Sequence, residues 1–222
     1  YMDAMHDRQS RPAPAFAPLD AAGGDGALPA WDLADLYAGT EDPRITADLD
    51  RAEAEARAFA ERLTGRLEAL TGDALAQALV EYERIEEVLG RVMSYAQLLF
   101  ASDAQDPASG RFQQTMSERV TGISSHLVFF TLELNRIPEA TLEARLGESA
   151  ALAGWRPWLR DLRVWLPHQL PDEMEKLLHE KEVTGRAAWN RLFDETMANM
   201  TITVAGEELS VSAALNKLSD TD

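Results

Sequence analysis

The 222-residue chain contains no cysteine, which excludes disulfides, thiolate nucleophiles and cysteine-ligated zinc. Lysine is nearly absent too: Lys176, Lys181 and Lys217 are the whole complement, and arginine supplies the rest of the 21 basic residues. Positive charge is scarce against 38 acidic residues, leaving a net charge of −17. Phosphate recognition needs clustered Lys and Arg, so a nucleic-acid partner is not expected, nor is docking on an anionic membrane. No run of roughly 18 apolar residues offers a membrane span. Residues 1–30 have no charged-then-apolar leader, which makes the cytoplasm the expected location. Gly23-Gly24-Asp25-Gly26 has no strand or helix around it to make a phosphate loop. No repeat recurs at a fixed period, and nothing marks an activated serine.

What remains is ordinary globular material, 45% hydrophobic, long enough for a real core. Residues 1–27 hold Pro12, Pro14, Pro18 and the glycine cluster. Too little apolar surface is available there to offset ordering entropy, so a flexible tail is expected. Residues 28–222 form the predicted helical domain, with 138–150 as the stretch where it would divide. Trp31, Leu33, Leu36 and Tyr37 are read as anchors of a short helix or turn that staples the N-terminus onto the core. Leu49, Ala52, Ala56, Phe59 and Leu63 recur at spacings of three and four, predicting a helix over 46–63. Asp73 is the expected N-cap of a helix to about Ala101, striped by Leu75, Leu79, Tyr82, Ile85, Leu89, Val92, Ala96 and Leu99. Asp106-Pro107 opens another, expected to run to Ile137, and Pro138-Glu139 begins afresh. Two helices, or one kinked at Thr184-Gly185, should follow between 170 and 200. Thr201–Val204 and Leu209–Val211 alternate around residues 205–208 as a hairpin, and Ser212 is the expected cap of a last helix, 213–218.

Three features invite a chemical reading. His179-Glu180 looks like the opening of HExxH, in which two imidazoles share one helix face and one zinc ion. The second position is Val183, so the motif fails and His179 reads as a helix residue beside Leu177 and Leu178. His126 lies in the run Leu127-Val128-Phe129-Phe130 with no ligand at helical spacing, and reads as a packed or edge histidine. Trp155, Trp158, Leu162 and Trp165 form a stripe better read as core than as a stacking groove. No catalytic, cofactor-binding or metal-binding residue is therefore assigned within residues 1–222.

The wording of the 170–194 block nevertheless carries a resemblance. A Pro171-Asp172-Glu173 start, Leu177-Leu178, a Glu-Lys pair, Thr184-Gly185, Ala188-Trp189 and Arg191-Leu192-Phe193-Asp194 precede the hairpin. Trp31-Asp32-Leu33 with Asp35-Leu36-Tyr37 is similar to a Trp-x-Leu-x-x-Leu-Tyr signature. Together these resemble the N-terminal half of the oligoendopeptidase F family, zinc metallopeptidases related to thimet oligopeptidase that cut short peptides. The resemblance runs from about Leu28 to the end of the chain. It implies that this half walls a deep channel, with short peptides and the catalytic domain as partners. It also implies that the HExxH and its zinc lie beyond Asp222, with no cofactor held by residues 1–222.

The expected fold is all-α, an antiparallel helical bundle-like domain with one small β-hairpin near the C-terminus. A rival reading is a self-contained helical interaction module without chemistry. Exposed apolar surface separates the two, since a domain built to be covered should show a sticky face.

Overall fold

A computed structural model describes residues 31–219. The tail expected at residues 1–27 lies outside them. The described chain is all-α apart from one hairpin, as the periodicity predicted.

Helix α1 spans Pro43–Leu63. It begins earlier than expected because Asp42 is a cap, its carboxylate accepting from the Arg44 backbone N–H at 2.9 Å, while Pro43 occupies the first turn. Ile45, Leu49, Ala52, Ala56, Phe59 and Leu63 are all buried. Helix α2, Gly72–Ser102, is capped by Thr71 rather than Asp73. The Thr71 hydroxyl accepts from the Ala74 N–H at 3.2 Å, and Asp73 instead accepts from the Ser149 hydroxyl at 2.6 Å. Arg62 pairs with Glu81 while Arg84 pairs with Glu55; the reversed order makes α1 and α2 antiparallel.

Helix α3, Pro107–Ser124, starts as predicted, with the Asp106 carboxylate accepting from Ala108 and Ser109. It does not continue to Ile137. At Ser124–Leu127 the backbone bonds tighten to three-residue steps, His126 N–H to Ile123 C=O and Leu127 N–H to Ser124 C=O, both within 3.0 Å. The Ser124 and Ser125 hydroxyls both donate back to the Thr121 carbonyl, competing with the helical ladder. Helix α4, Val128–Arg136, follows. The break turns Phe130 into the centre of the core, 5.0 Å from the Phe59 ring and 4.9 Å from Tyr82.

Helices α5 (Glu139–Glu148), α6 (Ala150–Ala153) and α7 (Arg156–Arg163) close one end. Gly72 passes so near α5 that a Cβ there would lie 2.5 Å from the Arg145 carbonyl oxygen. Trp155, Trp158 and Leu162 pack against the core, but Trp165, expected in the same core stripe, stands 67% exposed. Tyr37 anchors the N-terminal turn: its ring meets Tyr95 edge-on at 5.4 Å, and its hydroxyl donates to Asp48 at 2.9 Å. Burial and that carboxylate push the hydroxyl pKa up to about 12. Leu33 and Leu36 pack against the same core, whereas Trp31, expected as a further anchor, is exposed.

Beyond the bundle come α8 (Asp172–Lys181) and α9 (Arg186–Asn199), two helices as expected. Strands β1 (Thr201–Val204) and β2 (Glu207–Ser210) pair antiparallel with Val204 opposite Glu207. Only Ala205 and Gly206 turn the chain, both with positive φ, at 52° and 88°. Glu207 and Glu208, expected in the loop, are therefore strand residues, because a two-residue turn of this kind matches the strand twist. Helix α10 spans Val211–Asn216 and is capped by Ser210, not Ser212. No helix of the described residues is long and apolar enough to cross a membrane.

Candidate functional site

Helices α8 and α9 carry apolar residues at i, i+3 and i+4, which share a face by helical geometry. That face points outward. Met174 and Leu177 on α8 are exposed, as are Trp189, Leu192 and Phe193 on α9, and Trp189 reaches 70%; Leu178 is exposed too but also lines the cavity beneath α8. Neither helix has a buried residue. The period groups Trp189, Leu192, Phe193 and Met197 as one apolar face; the first three are exposed, and only Met197 is half-buried.

The sides turned toward the bundle are polar. On α9, Arg191 donates to the Gln114 side-chain oxygen at 2.5 Å and lies 3.4 Å from Glu195, while Gln105 donates to the Ala198 carbonyl. On α8, Asp172 pairs with Arg136. His179 Nε2 meets the Ser124 hydroxyl at 2.8 Å. The Gln169 amide donates to the Leu132 carbonyl at 3.2 Å just ahead of α8. Ordinary surface helices do the reverse and bury their apolar stripe. Trp165, Leu166, Leu170, Met200, Ile202, Leu215 and Leu218 are exposed as well.

Beneath α8 lies an open cavity of about 840 Å³. Its floor comes from α2 (Tyr82, Glu86, Leu89, Met93), with Val120, Ser124 and Leu127 from α3 and the turn after it. Its roof is Glu175, Leu178, His179, Lys181, Glu182 and Arg186. Burial lifts the Glu86 carboxyl above its ordinary value. Burial, aided by Glu86, likewise lifts the Tyr82 hydroxyl. The Ser124–His179 pair has no acid hydrogen-bonded to the imidazole among the described residues, so it lacks the orienting group that would make it a nucleophile–base couple. What it does is tie α8 to α3. Those residues are 55 positions apart, and no local signal in the sequence announces the contact.

His126 is half-buried at the turn between α3 and α4, an edge histidine. Val183, where a second zinc imidazole would be needed, is buried between α8 and α9. Among the described residues no group of three or more His, Asp or Glu comes together to hold a metal ion.

Fold and site together define a helical domain that lays polar helix faces on its own bundle and presents apolar ones outward. A family model described as Oligopeptidase F matches residues 133–202, from α4 into β1. The fold is similar to the crystal structure of oligoendopeptidase-F from Enterococcus faecium, with a TM-score of 0.62 and 18% sequence identity. That similarity covers 81% of this chain and 34% of that one, so the chain spans about a third of that protein's length. No curated protein matches the sequence. The resemblance to the oligopeptidase F family, a peptidase family, is thus borne out over residues 133–202, a part of the stretch from about Leu28 to the chain's end over which it was drawn. The block at Trp31–Tyr37 lies outside the matched residues.

Proposed function

We propose that this chain is the N-terminal, channel-forming part of a zinc metalloendopeptidase that hydrolyses short oligopeptides, and that its own residues are not catalytic. The carrying observation is the outward apolar face of α8 and α9 in the block that matches the family. Such a face is costly to leave in water. In this reading it is covered by the catalytic domain, which supplies the zinc and closes a channel admitting only short peptides. The span of about a third of a related peptidase supports the division of labour. Residues 28–222 are then one substrate-enclosing domain behind the 1–27 tail, in a protein of the cytoplasm.

Two measurements test this. The gene read past the codon for Asp222 should encode HExxH on a predicted helix. Purified residues 1–222 should leave a quenched fluorescent peptide uncut, with or without added zinc. Turnover lost on chelation and restored by zinc would overturn the non-catalytic assignment. A stop codon soon after Asp222 would overturn the channel reading and leave a binding module.

A further inference from the structure

The hairpin is a sheet of two strands, and each strand has an outer edge. Antiparallel partners alternate between pairs that bond one another and pairs whose backbone groups point outward. Val204 and Glu207 flank the two-residue turn and bond one another, as do Ile202 and Leu209. The N–H and C=O groups of Thr201 and Thr203 therefore face away from β2. Among the described residues none of them has a backbone partner.

The two edges are built differently. Strand β2 carries Glu207 and Glu208, charges of the kind that discourage pairing, and its last residue, Ser210, caps α10. Strand β1 reads Thr201-Ile202-Thr203-Val204, all β-branched, uncharged and free of proline, in regular register with β2 and without a bulge. Thr201, Ile202 and Thr203 are exposed. An edge so unprotected invites another strand, and a lone hairpin is marginal in water without one.

Magnitude decides where that strand comes from. The outward groups of Thr201 and Thr203 make at most four bonds, each worth about fivefold in an equilibrium constant. Together these give a free peptide no better than about millimolar affinity before any ordering cost. A second copy would bring its own net charge of −17 against this one. A strand of the same polypeptide, held nearby by its own domain, meets neither obstacle. We propose, resting on the channel-forming reading, that the outer edge of β1 receives a third strand from the domain that covers α8 and α9. Ile202 and Val204 share one face of β1, and Thr201 and Thr203 the other. The incoming strand therefore alternates apolar residues beside Ile202 with polar ones beside the threonines. Lys or Arg among the polar ones offsets Glu208, which lies opposite Thr203.

The test is hydrogen exchange read residue by residue, on residues 1–222 and on the longer protein encoded past Asp222. In residues 1–222 the Thr201 and Thr203 amides should exchange faster than those of Ile202 and Val204, which bond to β2. In the longer protein Thr201 and Thr203 should slow by at least about tenfold. Thr203→Pro removes an outward N–H and leaves the β1–β2 bonds in place. It should lower the melting midpoint of the longer protein by at least about 2 °C more than that of residues 1–222, and Thr203→Val should not. Hydroxyl-radical labelling of Trp189 reports separately whether α8 and α9 are covered. Trp189 shielded, with Thr201 and Thr203 exchanging as in residues 1–222, would overturn the third strand and leave the domain reading intact. Trp189 equally labelled in both, or a gene ending soon after Asp222, would overturn that reading and the third strand with it. Slowing of Thr201 and Thr203 as the concentration of residues 1–222 rises would also overturn the proposal, by making a second copy the partner.

Discussion

If the apolar stripes of α8 and α9 face water, polar substitutions there should cost this chain little. Phe193 is 63% exposed, so about a third of its burial is at stake. Complete burial of such a side chain is worth up to about 3 kcal/mol, which caps the loss for Phe193→Gln near 1 kcal/mol. Trp189→Gln, at a still more exposed position, should cost no larger a share. Phe130 is fully buried among Phe59, Tyr82 and Phe129, and Phe130→Ala should cost about 3–5 kcal/mol. Urea denaturation of the three variants at constant protein concentration measures the contrast. In thermal melts, 1 kcal/mol shifts the midpoint by about 2–4 °C in a chain of this size. The surface variants should also bind less of an apolar dye such as ANS. A loss in Phe193→Gln or Trp189→Gln comparable to that in Phe130→Ala would refute the outward placement, and with it the surface on which the proposed function rests.

Further outcomes follow from single sites. Gly72→Ala should destabilise by about 1–3 kcal/mol, because its Cβ would strike the Arg145 carbonyl and Ser149, and backbone yields poorly; a neutral melt would show that α2 and α5 can separate. Asp106 is held below its usual 3.8 chiefly by the Ala108 and Ser109 N–H groups. Its stabilising contribution is therefore full above that value and lost as pH falls through the lower folded pKa, so Asp106→Asn should flatten the acid limb of a melt-versus-pH curve. Glu86 is raised above 4.5 by burial, so the folded chain binds the extra proton and gains stability as pH falls through that window. Glu86→Gln should accordingly raise the melting temperature at neutral pH. Ala205→Asn should slow amide exchange in the hairpin, since Asn tolerates the positive φ that Ala holds there.

The stripes of α1 to α3 were legible because each apolar residue returns at three or four, and those residues are the core. Capping was legible in part. Asp106-Pro107 and Asp42-Pro43 carry identical chemistry, yet the second lies beside an acidic loop that blurs the helix start. Thr71 won the α2 cap from Asp73 because Asp73 is engaged by Ser149, 76 residues away. The break after Ser124 has neither Gly nor Pro to announce it; serine hydroxyls and the demand for Phe130 in the core produce it. On α8 and α9, period shows which residues share a face but not which way the face turns. That orientation depends on distant partners, Gln114 for Arg191 and Ser124 for His179. The candidate cavity was hidden for the same reason, since its floor and roof come from opposite halves of the described chain.

The polar seam under α8 and α9 also splits the chain's resistance to opening. Its hydrogen bonds and ion pairs exchange for water bonds at little net cost, unlike the dry contacts around Phe59 and Phe130. The segment from Asp172 to Asn216 should therefore detach as one subglobal unit while α1 to α4 stay intact. Amide protons in the C-terminal helices would then report a small opening energy, and those of α2 the global one. Native-state proteolysis would begin in the strip around Thr184-Gly185 and leave the bundle as a trimmed, still folded remnant.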